Sequence, residues 1–207
     1  MPIVKYEGRE IEFVGAYSHS YDCINKGNWY EQPFLEHIRS LGLSGTYLDI
    51  GTNIGNHALF FAMFCPSDRV IGFEPMPAWR ERALANIRAN KLEKKVEVMP
   101  LGLLDKPGDI VFNPYGTPHI LRCQRLDDVL PEIQNVAFVK MDIEGSEPKA
   151  LVGARNLLDR CKPLVFAEVI DSPDELLEAA ESVGYRHTGK IISGTPMYEL
   201  ASKSSGR

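Results

Sequence analysis

The sequence predicts an α/β fold with a mostly parallel sheet, helices on both faces and an antiparallel hairpin at the C-terminal end. The first observation is that, after about residue 45, short apolar segments alternate with segments of helical periodicity, which is typical of a parallel sheet covered on both faces. The second is that a turn-like "SG" separates "YRHTGKII" from "TPMYEL", a pattern that indicates a hairpin. Because ligands of such sheets bind beyond the carboxyl ends of the strands, the functional residues are expected there.

The composition is that of one globular domain. The chain has 207 residues, of which 44% are hydrophobic and 25% charged, and its formal net charge is -5. This charge argues against a nucleic-acid backbone as the main partner. The segment "MPIVKYEGREIEF" is too charged for a secretory signal, the apolar run "ALFFAMFC" is too short for a membrane span, and the scattered cysteines indicate reduced thiols. These features predict a cytoplasmic protein, and they leave its oligomeric state open.

The N-terminal part, residues 1–45, is predicted to form a short hairpin and a helix that belong to the same domain. "IVKY" and "IEFVGAY" flank the turn-like "EGRE", and apolar residues recur at helical spacing in "YEQPFLEHIRSLG". This part is expected on the substrate side of the site. The main domain is predicted over residues 46–200, and residues 201–207 are predicted to be a frayed tail.

The alternating elements follow one another in a regular order. The predicted strands are "TYLDI", "RVIGFE", "KVEVM", "VAFVKMDI" and "PLVFAEV". The predicted helices are "NHALFFAMFC", "PAWRERALANIRAN", "SEPKALVGARNLLD" with Ser146 as its cap, and "SPDELLEAAESVG", in which Ser172 and Glu175 form a capping box. The stretch "KPGDIVFNPYGTPHILRCQRLDDVL" is rich in Pro and Gly, and it is predicted to be an irregular hairpin and loop insertion.

The turn "DIGTNIG" follows the first of these strands and opens the first helix. Its glycines, Gly51 and Gly55, are four positions apart, and Asn53 stands where a dinucleotide-binding turn has its middle glycine. Because that glycine lets the backbone approach a pyrophosphate, its absence disfavours NAD or FAD. A phosphate-binding sequence ending in G-K-[ST] is also missing. The turn therefore favours a nucleoside without a pyrophosphate.

Carboxylates follow two of the later strands. Glu74 ends the second strand in "GFEP", where an acid can accept hydrogen bonds from both hydroxyls of a ribose. After the fourth strand, "KMDIEGSE" presents Asp142, Glu144 and Glu147. Three carboxylates at the mouth of an apolar sheet are costly unless they bind a ligand or remain solvated. A carboxylate at a helix start is also stabilised by the helix dipole, and this structural account suits Glu147 best.

These motifs together resemble one known family. "YLDIGTNIGNHALFFA", "VIGFEPMP", "QRLDDVL" and "FVKMDIEGSEPKALVGA", in this order over about residues 28–170, resemble the FkbM family of S-adenosylmethionine-dependent methyltransferases. The resemblance implies a Rossmann-like, seven-stranded class I methyltransferase sheet with S-adenosylmethionine as the cofactor. It also implies O-methylation of a hydroxyl group on a sugar, glycan or other small natural product. The cofactor-binding positions that it implies are Asp49, Gly51, Thr52, Asn53, Gly55 and Asn56 at the turn, Glu74 at the ribose, Leu101 and Gly102 at the adenine, and Asp142 beside the methionine moiety.

A general base within reach of the acceptor's hydroxyl would assist methyl transfer. Glu144, on the substrate side, is the first candidate, Asp142 is the second and His119 is a more remote one. A structural alternative is that Glu144 caps amide groups of its own turn. Activation of the hydroxyl by Mg²⁺ is an alternative to a general base, since Asp142, Glu144 and Glu168 offer oxygen ligands at adjacent strand ends. Because "AEVIDS" lacks an adjacent acid–amide pair, no metal site is assigned.

The acceptor is expected to be a small molecule or a glycan rather than a nucleic acid. Its expected contacts are Trp29, Tyr30, Tyr115 and His119, although Trp29 and Tyr30 could equally anchor the N-terminal helix on the core. A nucleic-acid methyltransferase is disfavoured because the [DN]-P-P-[YF] turn of amino methylation is absent after the fourth strand. An NAD-dependent oxidoreductase is disfavoured by Asn53. A non-catalytic scaffold that binds S-adenosylmethionine remains open.

Overall fold

A seven-stranded sheet forms the centre of the computed structural model, which describes residues 1–15, 21–170, 173–192 and 196–204. In spatial order its strands are β11 (Tyr185–Ile192), β12 (Met197–Ser202), β10 (Leu164–Glu168), β9 (Val136–Met141), β3 (Gly45–Ile50), β4 (Ser67–Phe73) and β5 (Val96–Met99). The strands from β10 to β5 are parallel, and β12 pairs antiparallel with both β10 and β11. The predicted seven-stranded, mostly parallel sheet with a closing hairpin is therefore confirmed.

The N-terminal residues form a separate small sheet and helices that precede the central sheet. β1 (Ile3–Tyr6) and β2 (Arg9–Glu12) are antiparallel, as predicted. They are followed by α1 (Asp22–Asn25), which the sequence analysis missed, and by α2 (Gln32–Ser40). Helix α2 begins with a proline in its first turn and buries Phe34, Leu35 and Ile38, the spacing of an amphipathic helix that packs on a core.

The sheet separates two hydrophobic cores. Because side chains alternate along a strand, Tyr47 of β3 faces the first core and the next residue, Leu48, faces the second. The first core is covered by the N-terminal elements, α3 (Asn56–Phe64) and α4 (Pro77–Ala89), and the second by α6 (Glu147–Gly153), α7 (Arg155–Cys161) and α8 (Pro173–Ser182). Helices thus cover both faces of the sheet, as predicted.

The segment "SEPKALVGARNLLD" forms the two helices α6 and α7 rather than the single predicted helix. At the break, a Cβ atom on Gly153 would lie 2.0 Å from the carbonyl oxygen of Leu104, so the chain needs a glycine where it passes the neighbouring loop. The predicted cap is also wrong, because the Ser146 side chain makes no capping hydrogen bond. The Glu147 side chain instead contacts the loop before the helix, where its Oε1 accepts a hydrogen bond from the N–H of Ile143 at 2.6 Å.

The insertion after β5 is more regular than the predicted loop. β6 (Gly102–Leu103), β7 (Gly108–Phe112) and β8 (His119–Gln124) form a three-stranded sheet in the order β6-β8-β7. β7 and β8 are antiparallel, and α5 (Leu126–Val129) follows them. The insertion is therefore a small three-stranded sheet, and one of its faces lines the pocket described below.

The C-terminal strand extends past the predicted domain boundary at residue 200. Ala201 and Ser202 are buried in β12 and pair with Arg186 and Tyr185 of β11, so they belong to the sheet and not to a frayed tail. Ser172 of the predicted capping box and the hairpin turn around residues 193–195 lie outside the described residues. In the described part of the chain, every helix is too short or too polar to cross a membrane.

Candidate active site

A pocket opens at the carboxyl ends of β3, β4, β5 and β9, which is where α/β sheets bind their ligands. Its empty volume, including the space that is open to solvent, is about 680 Å³. The predicted positions that line it are Gly51, Asn53, Glu74, Leu101, Gly102, Asp142 and Glu144. The fold thus brings residues from four separate stretches of the chain into one pocket.

The turn between β3 and α3 has a backbone shape that depends on glycine. The backbone is left-handed at Gly51, Asn53 and Gly55, with φ angles of 83°, 50° and 87°. A Cβ atom on Gly51 would lie 1.9 Å from the carbonyl oxygen of Asp142. The ends of β3 and β9 can therefore approach this closely only because Gly51 has no side chain. The N–H groups of Gly51 and Thr52 both donate to the last carbonyl oxygen of β4, which holds the turn on the sheet.

Three predicted positions support the turn and do not themselves line the pocket. The Thr52 hydroxyl donates to the carbonyl oxygen of Asp49 at 2.8 Å and is buried. Gly55 lies against α4. The Asn56 side chain donates to the carbonyl oxygen of Tyr30 and accepts from its N–H, at 3.0 and 3.2 Å. These contacts join the turn to β3, α4 and the N-terminal segment.

Glu74 joins the same turn to helix α4. It is 3% exposed, and its two carboxylate oxygens accept hydrogen bonds from the N–H groups of Asn53 and Met76, both at 2.8 Å. Burial raises the pKa of Glu74 to about 7, although the two amide donors oppose this shift. Because each oxygen of a carboxylate has a second lone pair, Glu74 remains able to bind a ligand hydroxyl in the pocket that it lines.

A buried lysine on β9 lies beside β3 at the centre of the site. Lys140 of β9 has 0% exposure, and its ammonium group lies 3.3 Å from Asp49 Oδ1 and 3.4 Å from Asp142 Oδ2. It also donates to the carbonyl oxygen of Gly51 at 3.1 Å. Burial alone would lower the pKa of Lys140, but the carboxylates of Asp49, Asp142 and Glu31 outweigh burial and raise it. The sequence analysis missed this lysine.

The acids after β9 and β10 have different environments. Glu147 is buried and accepts an amide hydrogen bond within its own turn, which is the structural role the sequence favours for it. Glu144 lines the pocket with a left-handed backbone, and in the described chain it forms no hydrogen bond to the amides of its turn. Glu144 is an exposed residue, but partial desolvation of its carboxyl group, followed by the charge of Asp142, raises its pKa. Burial, followed by Asp142, raises the pKa of Glu168 to about 8.

These acids do not form a recognisable metal site. Within residues 1–15, 21–170, 173–192 and 196–204, no group of three or more His, Cys, Asp and Glu side chains is arranged to hold a metal ion. The three oxygen donors weighed for Mg²⁺ also differ in position, because Glu144 lines the pocket described above whereas Glu168 lines a neighbouring one with Glu147. No metal ligand is therefore assigned.

The two N-terminal aromatic residues are in different places. Trp29 is 3% exposed and its ring packs edge-on against Phe13 and Phe60, so its expected role in stacking on a substrate is wrong and it anchors the core instead. Tyr30 is half-buried beside the ring of Tyr21. Burial, followed by nearby carboxylates that include Asp142, raises the pKa of Tyr30. Tyr30 therefore lies near the acids of the site.

The insertion sheet contributes an apolar wall that sequence reasoning missed. The residues that it and α4 add to the pocket are Trp79, Ile110, Phe112, Leu121 and Cys123. The period-two alternation of "DIVF" and "HILRC" is the signal that could have found them. His119 begins β8 opposite Phe112 and does not line the pocket. For Tyr115, the other substrate residue expected from the insertion, the side chain lies outside the described structure.

Known proteins resemble this chain in sequence and in fold. The family model described as the Methyltransferase FkbM domain matches residues 49–187. The FkbM methyltransferase of Methylobacillus flagellatus KT has a TM-score of 0.62 at 20% identity, over 76% of this chain and 43% of that chain. TrmK of M. capricolum, solved with S-adenosyl-homocysteine, has a TM-score of 0.58 at 14% identity, over 83% and 68%. The AMB antimetabolite synthetase AmbE of Pseudomonas aeruginosa is 33% identical over 91 residues, which are 42% of this chain and 4% of that protein.

The sheet order and the pocket at its carboxyl edge define a class I methyltransferase fold. Because the family model covers more than half of the 207 residues, the chain belongs to the FkbM methyltransferase family. It spans 4% of the curated synthetase and 43% of the solved FkbM methyltransferase, so it corresponds to one part of each.

Proposed function

We propose that this chain transfers the methyl group of S-adenosylmethionine to a hydroxyl group on a sugar, glycan or other small natural product. The observation that carries the proposal is the pocket of an FkbM-family chain in which the glycine turn, Glu74 and Asp142 converge at the carboxyl edge of the sheet. The choice of cofactor is supported by TrmK, a protein of similar fold whose structure contains S-adenosyl-homocysteine.

The residues present fit this cofactor. Asp49 is fully buried and does not line the pocket. Its carboxylate contacts the Lys140 ammonium at 3.3 Å and has no further hydrogen-bond partner among the described residues. Together with Asp142 it would add negative charge near the amino group and the sulfonium of the ligand. Glu74 would bind the ribose hydroxyls. The adenine would lie at the apolar end of the pocket, between Leu101, Gly102 and the insertion sheet.

The chain's own contribution to the reaction is alignment and proton removal. When bound, S-adenosylmethionine supplies a methyl group activated by a positively charged sulfur, so positioning of the acceptor matters most. We assign Glu144 as the base, with one carboxylate oxygen accepting the proton of the acceptor's hydroxyl. Asp142, which the Lys140 ammonium holds, is the second candidate. Tyr30, which lies within electrostatic range of Asp142, is retained as a substrate contact.

A small acceptor is proposed in preference to a nucleic acid. The carboxylates of Asp142 and Glu144, which follow β9, line the pocket, and their negative charge would repel phosphates. The similarity to an antimetabolite synthetase agrees with a natural-product acceptor. A cytoplasmic location is also part of the proposal.

Calorimetry tests the cofactor, and a labelled-methyl assay tests the reaction. We expect the protein to bind S-adenosylmethionine and S-adenosyl-homocysteine and to show no heat of binding with NAD. A panel of methyl glycosides, hydroxy amino acids and phenols is then incubated with the protein and S-adenosylmethionine labelled in its methyl group. Binding of NAD alone would overturn the proposal. Binding of S-adenosylmethionine without transfer to any panel member would favour the scaffold alternative.

The affinity for S-adenosylmethionine is expected to rise with pH through the pKa of Glu74, which burial raises to about 7. Below this pKa the carboxyl group is neutral, and above it the carboxylate accepts charge-assisted hydrogen bonds from the ribose. Glu74→Gln should weaken binding by on the order of 1–3 kcal/mol at pH 8 and should remove this part of the pH dependence. Calorimetry from pH 6 to pH 8 measures both effects, and an unchanged profile in the variant would show that Glu74 does not contact the ribose.

A further inference from the structure

Lys140 is a buried charge for which the proposed reaction has no direct use. It has 0% exposure and lies in β9, between β3 and β10. Burying an ammonium group costs free energy unless partners compensate for the lost water. A residue of this kind in the middle of a sheet therefore needs either a structural or a functional explanation.

The partners of Lys140 come from both sides of the cofactor turn. Its register partner on β3 is Asp49, at 3.3 Å from the ammonium nitrogen to Oδ1. The carbonyl oxygen of Gly51 accepts its hydrogen bond at 3.1 Å, and Asp142 Oδ2 lies at 3.4 Å. One ammonium group thus contacts the strand end before the turn, the first residue of the turn and the first residue after β9. These are positions that the proposed cofactor site also uses.

The contacts differ from those of an ion pair that serves only the core. In a well-compensated buried pair, further hydrogen bonds satisfy the remaining carboxylate lone pairs. Here the Lys140 ammonium contacts Oδ1 of Asp49 at 3.3 Å, and among the described residues neither oxygen of this carboxylate has a further hydrogen-bond partner, although the carboxylate is completely buried. One positive charge also faces two carboxylates in direct contact, Asp49 and Asp142, and a third, Glu31, within electrostatic range. The cluster therefore retains net negative charge and unused acceptor atoms.

We propose that Lys140 is a positioning residue for the cofactor: its ammonium group holds the Gly51 carbonyl, Asp49 and Asp142 in one arrangement and keeps their charge available for the cationic groups of S-adenosylmethionine. This inference rests on the proposed function. Lys140 touches no ligand atom in this account and acts through the groups it holds. Without it, two adjacent carboxylates lose their counter-charge, and such groups take up protons more readily.

The test compares Lys140→Met with the wild type in calorimetric titrations with S-adenosylmethionine between about pH 6 and pH 8.5. The ratio of the variant's affinity to the wild-type affinity is expected to be below one at pH 6 and to rise by about tenfold across this range, as the uncompensated carboxylates ionise. The ratio cancels the titration of the ligand's own amino group. The other titratable groups that face the cluster are Tyr21, Tyr30, Glu31, Glu74, Glu144 and Glu168, together with His57, whose Nε2 lies 3.1 Å from Glu31 Oε2.

Three variants complete the test. Lys140→Arg keeps the charge and should restore a ratio that does not depend on pH. Lys95→Met removes a partly buried lysine whose neighbours are Asp68 and Cys65, and it should bind like the wild type. If Lys140→Met does not fold, Lys140→Gln retains a hydrogen-bond donor for the Gly51 carbonyl but removes the charge. The proposal predicts weaker binding by Lys140→Gln than by Lys140→Arg, whereas a role limited to that hydrogen bond predicts wild-type affinity for both variants.

The proposed function and the role of Lys140 can be tested separately. A wild-type protein that does not bind S-adenosylmethionine would overturn the proposed function, and this inference with it. Normal wild-type binding, together with a weaker but parallel pH profile for Lys140→Met, would overturn the inference alone, because a purely structural lysine lowers affinity equally at all pH values.

Discussion

Glu144→Gln is expected to lower the rate of methyl transfer by a factor on the order of 10²–10⁴ while leaving the affinity for S-adenosylmethionine within about twofold. The amide keeps the size of the side chain but cannot accept the hydroxyl proton of the acceptor. Glu144 lines the pocket, and no hydrogen bond ties its carboxylate to its own turn in the described chain. The rate is measured as transfer of labelled methyl to the acceptor found in the panel, and affinity by calorimetry.

The pH dependence of the rate provides a second readout for the same residue. Partial desolvation and the charge of Asp142 raise the pKa of Glu144 above its usual value, and a base must be deprotonated to act. The wild-type rate should therefore fall as pH decreases through this raised pKa, and the residual rate of Glu144→Gln should not show this fall. Glu132→Gln, which changes an exposed acid on a distant loop, is the matched control and should retain the wild-type rate.

Asp142→Asn separates the two candidate bases. Asp142 contacts the Lys140 ammonium, so its loss should weaken cofactor binding as well as turnover, whereas Glu144→Gln should affect turnover alone. An unchanged rate in Glu144→Gln with a large loss in Asp142→Asn would assign the base to Asp142. Equal and small losses in both variants would indicate that alignment, without a carboxylate base, accounts for the rate.

The sequence was sufficient for the cofactor side of the site because the motifs there are local. Gly51 and Glu74 each follow a clearly apolar strand, and parallel strands place their carboxyl ends at one edge of a sheet. The pocket that contains both follows from this rule. The sequence analysis missed Lys140 because its position inside "FVKMD" indicates only a strand. Its contact with Asp49 depends on the register between β3 and β9, which places the two residues opposite each other.

The errors on the acceptor side come from information that a single sequence does not contain. Trp29 precedes a helix in a polar stretch, and its burial depends on rings contributed by β1, α3 and the residue after β2, which are distant in sequence. The insertion was predicted to contact the acceptor through Tyr115 and His119. His119 does not line the pocket, and the role of Tyr115, whose side chain lies outside the described structure, stays a prediction. Apolar residues of β7 and β8 line the pocket instead, because β6 pairs with β8 and brings the small sheet over the end of the pocket at Leu101.

Gly51→Ala is expected to cause the largest loss of stability among single substitutions in the turn, about 2–5 kcal/mol. Two costs add: the left-handed backbone, at φ 83°, costs a residue with a Cβ atom roughly 1–2 kcal/mol, and overpacking costs about 1–3 kcal/mol more. The second cost arises because the new Cβ atom would lie 1.9 Å from the backbone oxygen of Asp142, and a strand end cannot move aside as a flexible side chain can. The melting temperature should fall by on the order of 10 °C, with loss of cofactor binding.

Gly184→Ala isolates the contribution of the contact between the two strand ends. Gly184 has nearly the same backbone angle, φ 82°, but a Cβ atom there would meet nothing within 4 Å, so only the backbone cost of roughly 1–2 kcal/mol applies. Thermal unfolding followed by circular dichroism compares the two variants under one condition. Equal shifts would mean that β3 and β9 can separate at no cost. The larger shift that we expect for Gly51→Ala would show that the carbonyl of Asp142 is pressed against the turn. The same contact would then fix the distance between the two sides of the cofactor pocket, since Gly51 and Asp142 both line it.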